Sequence, residues 1–543
     1  MDTSINIKNK YNFWNMFVSI VGVVIGIGIF FKNDSIYNLS GNNPLIAIIT
    51  WVVGALLIIG MAYSFVEISS VKLGKTENGS ITEWANKFLG KKGGVIISTY
   101  WHYIYIPLTY LVLATFSTDM IVSAITTANP TGNIANLSNV EIFGFYFLII
   151  MVLLIIIPIT NSFLSKPGKL FQTTGTIIKF IPLFVVLIGT IVVMANTGSN
   201  VGLDQSDKDT ATNGFFLFLA TMPAILFSFD GFIATSQLQK QGKKKNTYIK
   251  ALVAALVTIS VVYILIATFS FLAGDSNSGY SISAMLSLIF PNALWAQVLL
   301  FVIIFISGIT GLNGFSMAGK WDQYNNSNEE LIYDPEKKYK VINKKGIPTK
   351  SSLSVWIISM GWFITIFFIS YFVSLAVPTY SVINVVDQLS NSYIVLAFLL
   401  YTAIILGALR NRKTGKHEVT KVKGFIPISI IVSISFIIIN VFSFIETIQL
   451  ISFKSNDIQL TGLFLILILI IWMFVSILNY ISITEQKTKS DLVSTWWNDF
   501  ILTIRKNQVY TKITNINYKN YNKNSIKKKD LENSNKADNE TKK

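Results

Sequence analysis

Gly22-Val23-Val24-Ile25-Gly26-Ile27-Gly28-Ile29-Phe30 lies in the first long apolar stretch of the chain and sets three glycines where an uninterrupted helix would be expected. Each glycine weakens a helix by roughly 1 kcal/mol against alanine. Gly22 and Gly26 also form a small-xxx-small pair, so close packing against a neighbouring helix is one reading. The other is a break near Gly28. The sixth apolar stretch contains Ala224-Ile225-Leu226-Phe227-Ser228-Phe229-Asp230-Gly231-Phe232, with an aspartate at mid-helix followed by glycine. Such a charge is costly in lipid unless it faces a polar cavity. The plainer alternative has Asp230 close to an interface, snorkelling towards water. If both helices are interrupted, each break exposes N–H groups with a positive dipole end and C=O groups with a negative one. Together these can hold a zwitterion.

Outward from these two stretches, the chain reads as twelve apolar segments of about 20 residues, each long enough to cross a bilayer as a helix. They lie near 13–31, 44–68, 95–125, 142–160, 170–195, 213–238, 250–273, 293–319, 353–377, 380–409, 425–448 and 460–483. Composition agrees: 52% of the 543 residues are hydrophobic and 13% charged, against roughly 25% charged in soluble chains. The first segment has no small-residue cleavage site and eleven more follow, so it reads as a span rather than a signal peptide. An even number of spans puts both termini on one side. With that side inside, 40 of the 44 basic residues fall on inside segments, and only Lys32, Lys208 and Lys454 fall on outside loops. This is a positive-inside pattern, and it predicts cytoplasmic N- and C-termini. The tail, 484–543, is rich in Lys and Asn and is expected to be disordered beyond Lys519. Its charge reads as topology and solvation, or as attraction to anionic lipid at the basic loops and tail. No motif supports nucleic-acid binding.

Several functions are excluded. There is no cysteine, so thiolate metal sites and cysteine nucleophiles are absent, and the two histidines, His102 and His417, are far apart. No cofactor or metal site is expected. The longest internal loop, Lys320 to Ser352, holds no catalytic constellation, so the chain does not read as an enzyme. Function has to sit among the helices.

At this point the chain resembles the amino acid–polyamine–organocation (APC) permeases. Their first-span Gly-x-Gly-Ile-Phe is matched by Gly26-Ile27-Gly28-Ile29-Phe30. Tyr63-Ser64-Phe65-Val66-Glu67-Ile68 is similar to their aromatic-x-x-Glu-Leu pattern, and Gly79-Ser80-Ile81-Thr82 partly matches the Gly-Gly-x-Tyr pattern that follows. Lys179-Phe180-Ile181-Pro182, Phe227-Ser228-Phe229-Asp230-Gly231-Phe232, Gly311-Leu312-Asn313-Gly314-Phe315-Ser316-Met317 and Gly346-Ile347-Pro348 follow in the family's order, so the resemblance covers roughly 13–483. Ile27 stands where the family often has Ser, Thr or Ala, Ile233 stands where an acidic residue is common, and Gln239-Lys240-Gln241-Gly242-Lys243 replaces the usual Glu-x-x-x-Pro region.

The resemblance implies an all-α integral membrane protein with a leucine-transporter type five-plus-five inverted repeat, discontinuous helices 1 and 6, and two extra helices. The organisation would be an N-terminus over 1–12, a ten-helix core over 13–409, helices 11 and 12 over 410–483, and the tail. Paired interruptions in corresponding spans are the best sequence pointer to a secondary transporter's site. An amino acid would sit there, its carboxylate on the N–H groups of Gly26, Ile27 and Gly28 and its ammonium on carbonyls near Val24, Ile25 and Phe227. Phe229 would pack over the bound side chain as a gate, with Gly231 beside it, and Tyr103 or Tyr105 would either cap the substrate or serve as packing or interfacial aromatics. Asp230 either faces the cavity, favouring a substrate with an additional positive charge, or bonds within the broken helix. Lys179, 11 residues into the fifth span, is about 16 Å deep at 1.5 Å per residue, too deep for an easy reach to headgroups. In the resembling family a lysine here takes the place of a sodium ion against the broken first helix. Its ammonium would bond carbonyls around Val21 and Gly22 and make it the proton-coupling residue.

Other polar residues within spans keep two readings. His102 is a hydrogen-bonded structural histidine or a proton relay. Glu67 and Asp119 are interfacial, Asp387 could belong to an outer gate, and Asn313 and Ser316 join helices or reach the cavity. The reading that follows is a proton-coupled amino acid symporter of the cell membrane. Exchange or uniport, and a non-transporting sensor that kept the fold, are the alternatives.

Overall fold

The computed structural model describes residues 12–25, 28–72, 79–137, 139–164, 166–197, 214–233, 235, 247–273, 280, 282–377, 380–451 and 460–488. Among these the regular structure is helical throughout. In chain order the α-helices are α1 Phe13–Val24, α2 Gly28–Leu39, α3 Pro44–Ser69, α4 Ile81–Tyr100, α5 Ile106–Ala128, α6 Asn139–Phe163, α7 Lys166–Ile178, α8 Phe180–Thr197 and α9 Gly214–Ser228. They continue with α10 Thr247–Ala273, α11 Ile282–Ile289, α12 Leu294–Gly319, α13 Asp322–Asn328, α14 Thr349–Ala376, α15 Val382–Thr414, α16 Phe425–Ile451 and α17 Leu460–Thr488. Ten helical stretches among the described residues are long and apolar enough to span a membrane. The pair α1 and α2 makes an eleventh, bent by 45°. The short apolar helix α9 covers the first part of the segment read as 213–238, and most of that segment beyond Ile233 lies outside the described residues.

Helices dominate because hydrocarbon offers backbone groups no partners, so each segment must satisfy its own. Where a segment fails to do so, a neighbour compensates. Pro107 near the start of α5 cannot donate to the carbonyl of Tyr103 one turn earlier. The chain there forms a π-helical turn, Trp101–Tyr105, and the freed Tyr103 carbonyl accepts the Trp362 indole N–H at 2.7 Å. Pro158 in α6 likewise frees the Leu154 carbonyl, which accepts the Trp356 indole N–H at 3.0 Å. One helix, α14, therefore repairs two others. At helix starts, Asn43 caps α3 through Leu45 and Ile46 N–H. Ser80 and Glu83 form a capping box on α4.

The spans containing α5, α12 and α15 bury most of their surface and form the centre. Outer faces carry exposed Leu148, Ile156, Ile188, Phe368, Phe372, Ile431 and Ile470. A belt of such residues is costly in water and suited to lipid tails. The basic tail from residue 489 onward lies outside the described residues.

Candidate substrate site

The last turn of α1 closes with the Ile25 N–H on the Val21 carbonyl at 2.8 Å, and Ile25 then leaves helical geometry at ψ 86°. Gly26 and Ile27 lie outside the described residues, and α2 resumes at Gly28. The final carbonyls of a helix need outside donors. Two come from other helices: Lys179 Nζ donates to the Gly22 carbonyl at 2.6 Å, and Tyr263 Oη of α10 to the Val24 carbonyl at 3.4 Å. Lys179 sits at the junction of α7 and α8, fully buried. Its target is one of the two carbonyls that the family resemblance implies.

The sixth segment breaks in a different way. The Phe229 N–H still reaches the Ile225 carbonyl at 3.3 Å, and the Asp230 N–H turns back tightly to Phe227 at 3.2 Å. Gly231 then takes φ +95°, a conformation that L side chains rarely adopt. The Phe232 carbonyl beyond the break is held by Thr235 Oγ1 at 2.6 Å.

The two breaks touch. A Cβ on Gly28 would lie 2.8 Å from the Ser228 Cα, and one on Gly231 would lie 3.2 Å from both Val23 Cγ1 and Phe315 Cζ. The absence of side chains at Gly28 and Gly231 is what lets the first and sixth segments meet. Close packing also holds at Gly22, where a Cβ would run into the Thr176 side chain of α7. The packing reading and the break reading of the glycine stretch are therefore both realised, at different glycines.

Aromatic rings line the junction. Phe229 is fully buried, with ring centroids 6.0 Å from Trp51 and 5.3 Å from Tyr263. Tyr103 lies away from the breaks, its ring edge-on to His102 at 4.9 Å. Tyr105, two residues on, donates from Oη to Asp230 Oδ2 at 2.6 Å. The π-helical turn sets which face each tyrosine takes, and ordinary helical spacing does not foresee it.

Lys32 departs from the sequence reading. It was expected in an outside loop, yet it lies within α2 with no exposure. Its ammonium donates to Asp387 Oδ1 at 2.6 Å, Ser390 Oγ at 2.7 Å and Asn391 Oδ1 at 2.7 Å, all on α15. It also stands 4.8 Å from the centroid of the Phe227 ring, a cation–π contact. Three acceptors and a ring replace its water, which is why a lysine is tolerated there. The partners are 355 residues apart, so no local pattern reveals the pair.

The other flagged residues have defined partners. His102 Nδ1 and Asp322 Oδ2 are 2.8 Å apart and buried. Glu67 holds Arg412 through both oxygens at 2.6 Å and also accepts from the Val422 N–H. Asp119 accepts from Tyr146 Oη at 2.5 Å. Asn313 donates to the Gly168 carbonyl and to Gln172 Oε1, each at 3.0 Å, tying α12 to α7.

Comparison with known proteins fits this arrangement. An uncharacterized protein of Mycoplasma pneumoniae (strain ATCC 29342 / M129 / Subtype 1) is 27% identical over 348 residues, 57% of this chain. The match spans 59% of that relative's length. A family model described as amino acid permease matches residues 11–475, which takes in both breaks and the helices around them. The chain is a multi-pass membrane protein and belongs to the amino acid permease family.

Proposed function

We propose that the protein is a secondary active transporter that moves amino acids across the cell membrane by proton-coupled symport, with both termini in the cytoplasm. The observation that carries this reading is the contact of two interrupted helices at Gly28–Ser228 and Val23–Gly231. The end of α1 offers carbonyls and the start of α2 offers N–H groups, with opposite dipole ends facing one junction. In this reading the substrate ammonium takes the free lone pairs of the Val24, Ile25 and Phe227 carbonyls. The carboxylate takes the N–H groups of Gly26, Ile27 and Gly28. Phe229 shapes the space for the side chain, Asp230 and Gly231 form the far wall, and the aromatic contribution of the third span passes from Tyr103 to Tyr105.

Lys179 supplies the coupling. As an ammonium it holds the Gly22 carbonyl by a charge-assisted bond, roughly twice as strong as a neutral one. A neutral amine would hold it less firmly and let α1 move. At the other end, the tie from Lys32 to Asp387 fastens α2 to α15 and acts as the outer gate.

The test is uptake of labelled amino acids by the purified full chain in liposomes, with and without an inward proton gradient. Accumulation driven by the gradient alone is expected. Flux that requires a counter-substrate inside would make the protein an exchanger, and binding without flux would make it a sensor.

A further inference from the structure

Among the described residues Asp230 is the carboxylate placed within the second break, and one of its oxygens is not satisfied. Its Oδ2 accepts from Tyr105, while its Oδ1 is buried and has no hydrogen-bond partner among the described residues. The adjacent Gly231 N–H also interacts with the carboxylate, without the geometry of a full hydrogen bond to Oδ1. No ion pair involves Asp230 among the described residues. The buried lysines of the first and fifth segments are both committed elsewhere, Lys32 to Asp387 and Lys179 to Gly22. A carboxylate in a membrane interior without a cation is costly and is kept where it has a task.

What surrounds Asp230 has a consistent chemistry. Tyr100, Tyr393 and Tyr401 lie within electrostatic reach of the carboxylate. Tyr105 stacks on Trp101 with centroids 3.9 Å apart and meets the edge of Tyr393 at 6.1 Å. The Tyr401 hydroxyl is buried, interacts with Tyr105 and makes no well-formed hydrogen bond among the described residues. A carboxylate oxygen and a hydroxyl, neither fully satisfied, therefore stand among electron-rich rings. Rings and a carboxylate together attract a cation. A protonated Oδ1 would exchange an acceptor without a donor for a donor without an acceptor. A neutral substrate would leave the vacancy unfilled, and an unmade buried hydrogen bond costs more than a made one returns.

We infer that Asp230, with Tyr105 and Tyr401, forms a subsite for a positively charged substrate side chain, so that the substrates are cationic amino acids such as lysine, arginine and ornithine. This rests on the transport reading above and narrows it. The backbone of the breaks takes the α-amino and α-carboxylate groups, which all amino acids share. Asp230 sits three residues beyond the Phe227 carbonyl and reads the side chain.

The experiment compares lysine with norleucine, which has the same carbon chain and lacks the terminal ammonium. Binding and uptake are measured on the full chain in liposomes. The wild-type protein should favour lysine over norleucine by tenfold or more. Asp230→Asn should collapse that ratio towards one, and Tyr401→Phe should reduce it in the same direction. The wild-type ratio needs no variant, so a poorly folding Asp230→Asn does not block the test. A wild-type protein that carries norleucine and discriminates against lysine overturns the inference and leaves the transport reading standing. Uptake of norleucine that requires sodium and is unaffected by lysine would assign Oδ1 to a metal cation and also overturns it. If no amino acid binds or moves, the transport reading falls and this one falls with it.

Discussion

Trp362 shows how single residues compensate for one another in this molecule. Its indole N–H satisfies the carbonyl that Pro107 orphans at Tyr103, in a span with no water to take its place. Trp362→Phe keeps the ring and removes the donor. The cost of an unsatisfied buried carbonyl is about 1–3 kcal/mol, so the variant's thermal midpoint in detergent should fall clearly. Trp356→Phe should lower it similarly, because the Leu154 carbonyl it satisfies is also shut off from water. Equal stability of Trp362→Phe and wild type would mean that another donor replaces the indole. Lys179 tests a different point. Lys179→Ala should abolish accumulation driven by a pH gradient, while slow exchange survives. Continued concentration of substrate under a pH gradient would remove Lys179 from the coupling step. Its depth was legible in the sequence, because distance along a helix fixes depth, whereas its carbonyl target came only from the family resemblance. The tyrosine facing Asp230 was legible only as a choice between two, since the π-helical turn caused by Pro107 changes the angular spacing of the residues around it.

The discontinuous helices were legible as elements. Glycines at the right spacing, and an aspartate before a glycine, mark the points where helical hydrogen bonding fails. What their neighbours would be was not legible, because partners brought together by the fold leave no local trace. The tie between α2 and α15 is the clearest case. Lys32 has no exposure, while Asp387 keeps 20% of its side chain accessible. Lys32→Met leaves a mostly buried carboxylate without its cation and takes a donor from Ser390 Oγ and Asn391 Oδ1. Breaking such a pair costs about 3–5 kcal/mol when both ends are buried, and the partial exposure of Asp387 puts the expected loss at the lower end. Asp387→Leu should cost a similar amount, and the double variant should cost less than the two singles together. A double-mutant cycle by denaturant or heat would measure that coupling. Additive losses would show that the two side chains are neighbours without being partners. Gly231 offers a second test at this scale. At φ +95° Gly231→Ala imposes strain of about 1–3 kcal/mol, and its Cβ would also meet Val23 and Phe315 at 3.2 Å. Reduced stability with loss of substrate binding is expected, and an unchanged protein would contradict the close contact of the breaks.

For the whole molecule, two distributions over the sequence carry independent information. Apolar side chains cover the outer faces of the spanning helices, so the chain sits in a bilayer whichever way it is inserted. The basic residues set the expected direction: with both termini read as cytoplasmic, 40 fall inside and three outside, as the positive-inside rule predicts. One of those three, Lys32, proved to be inside the protein, which removes it from the outside loops and sharpens the asymmetry. A chain without cysteine makes the prediction easy to test, since each introduced thiol is the only one present. Thr131 lies in the loop after α5 and Lys345 in the loop before α14, and both are exposed. With the basic loops in the cytoplasm, Thr131→Cys should react with an impermeant maleimide in intact cells. Lys345→Cys should react only after the membrane is opened. The two positions are separated by the spans of α6, α8, α9, α10 and α12, an odd number, so they must lie on opposite sides if each of these crosses once. Of the five, α9 is the shortest, at 15 residues, and it leads into the break at Gly231. Labelling of both cysteines from the outside would mean that this segment does not complete its crossing, and labelling of Lys345→Cys alone would mean that the whole protein is inserted the other way.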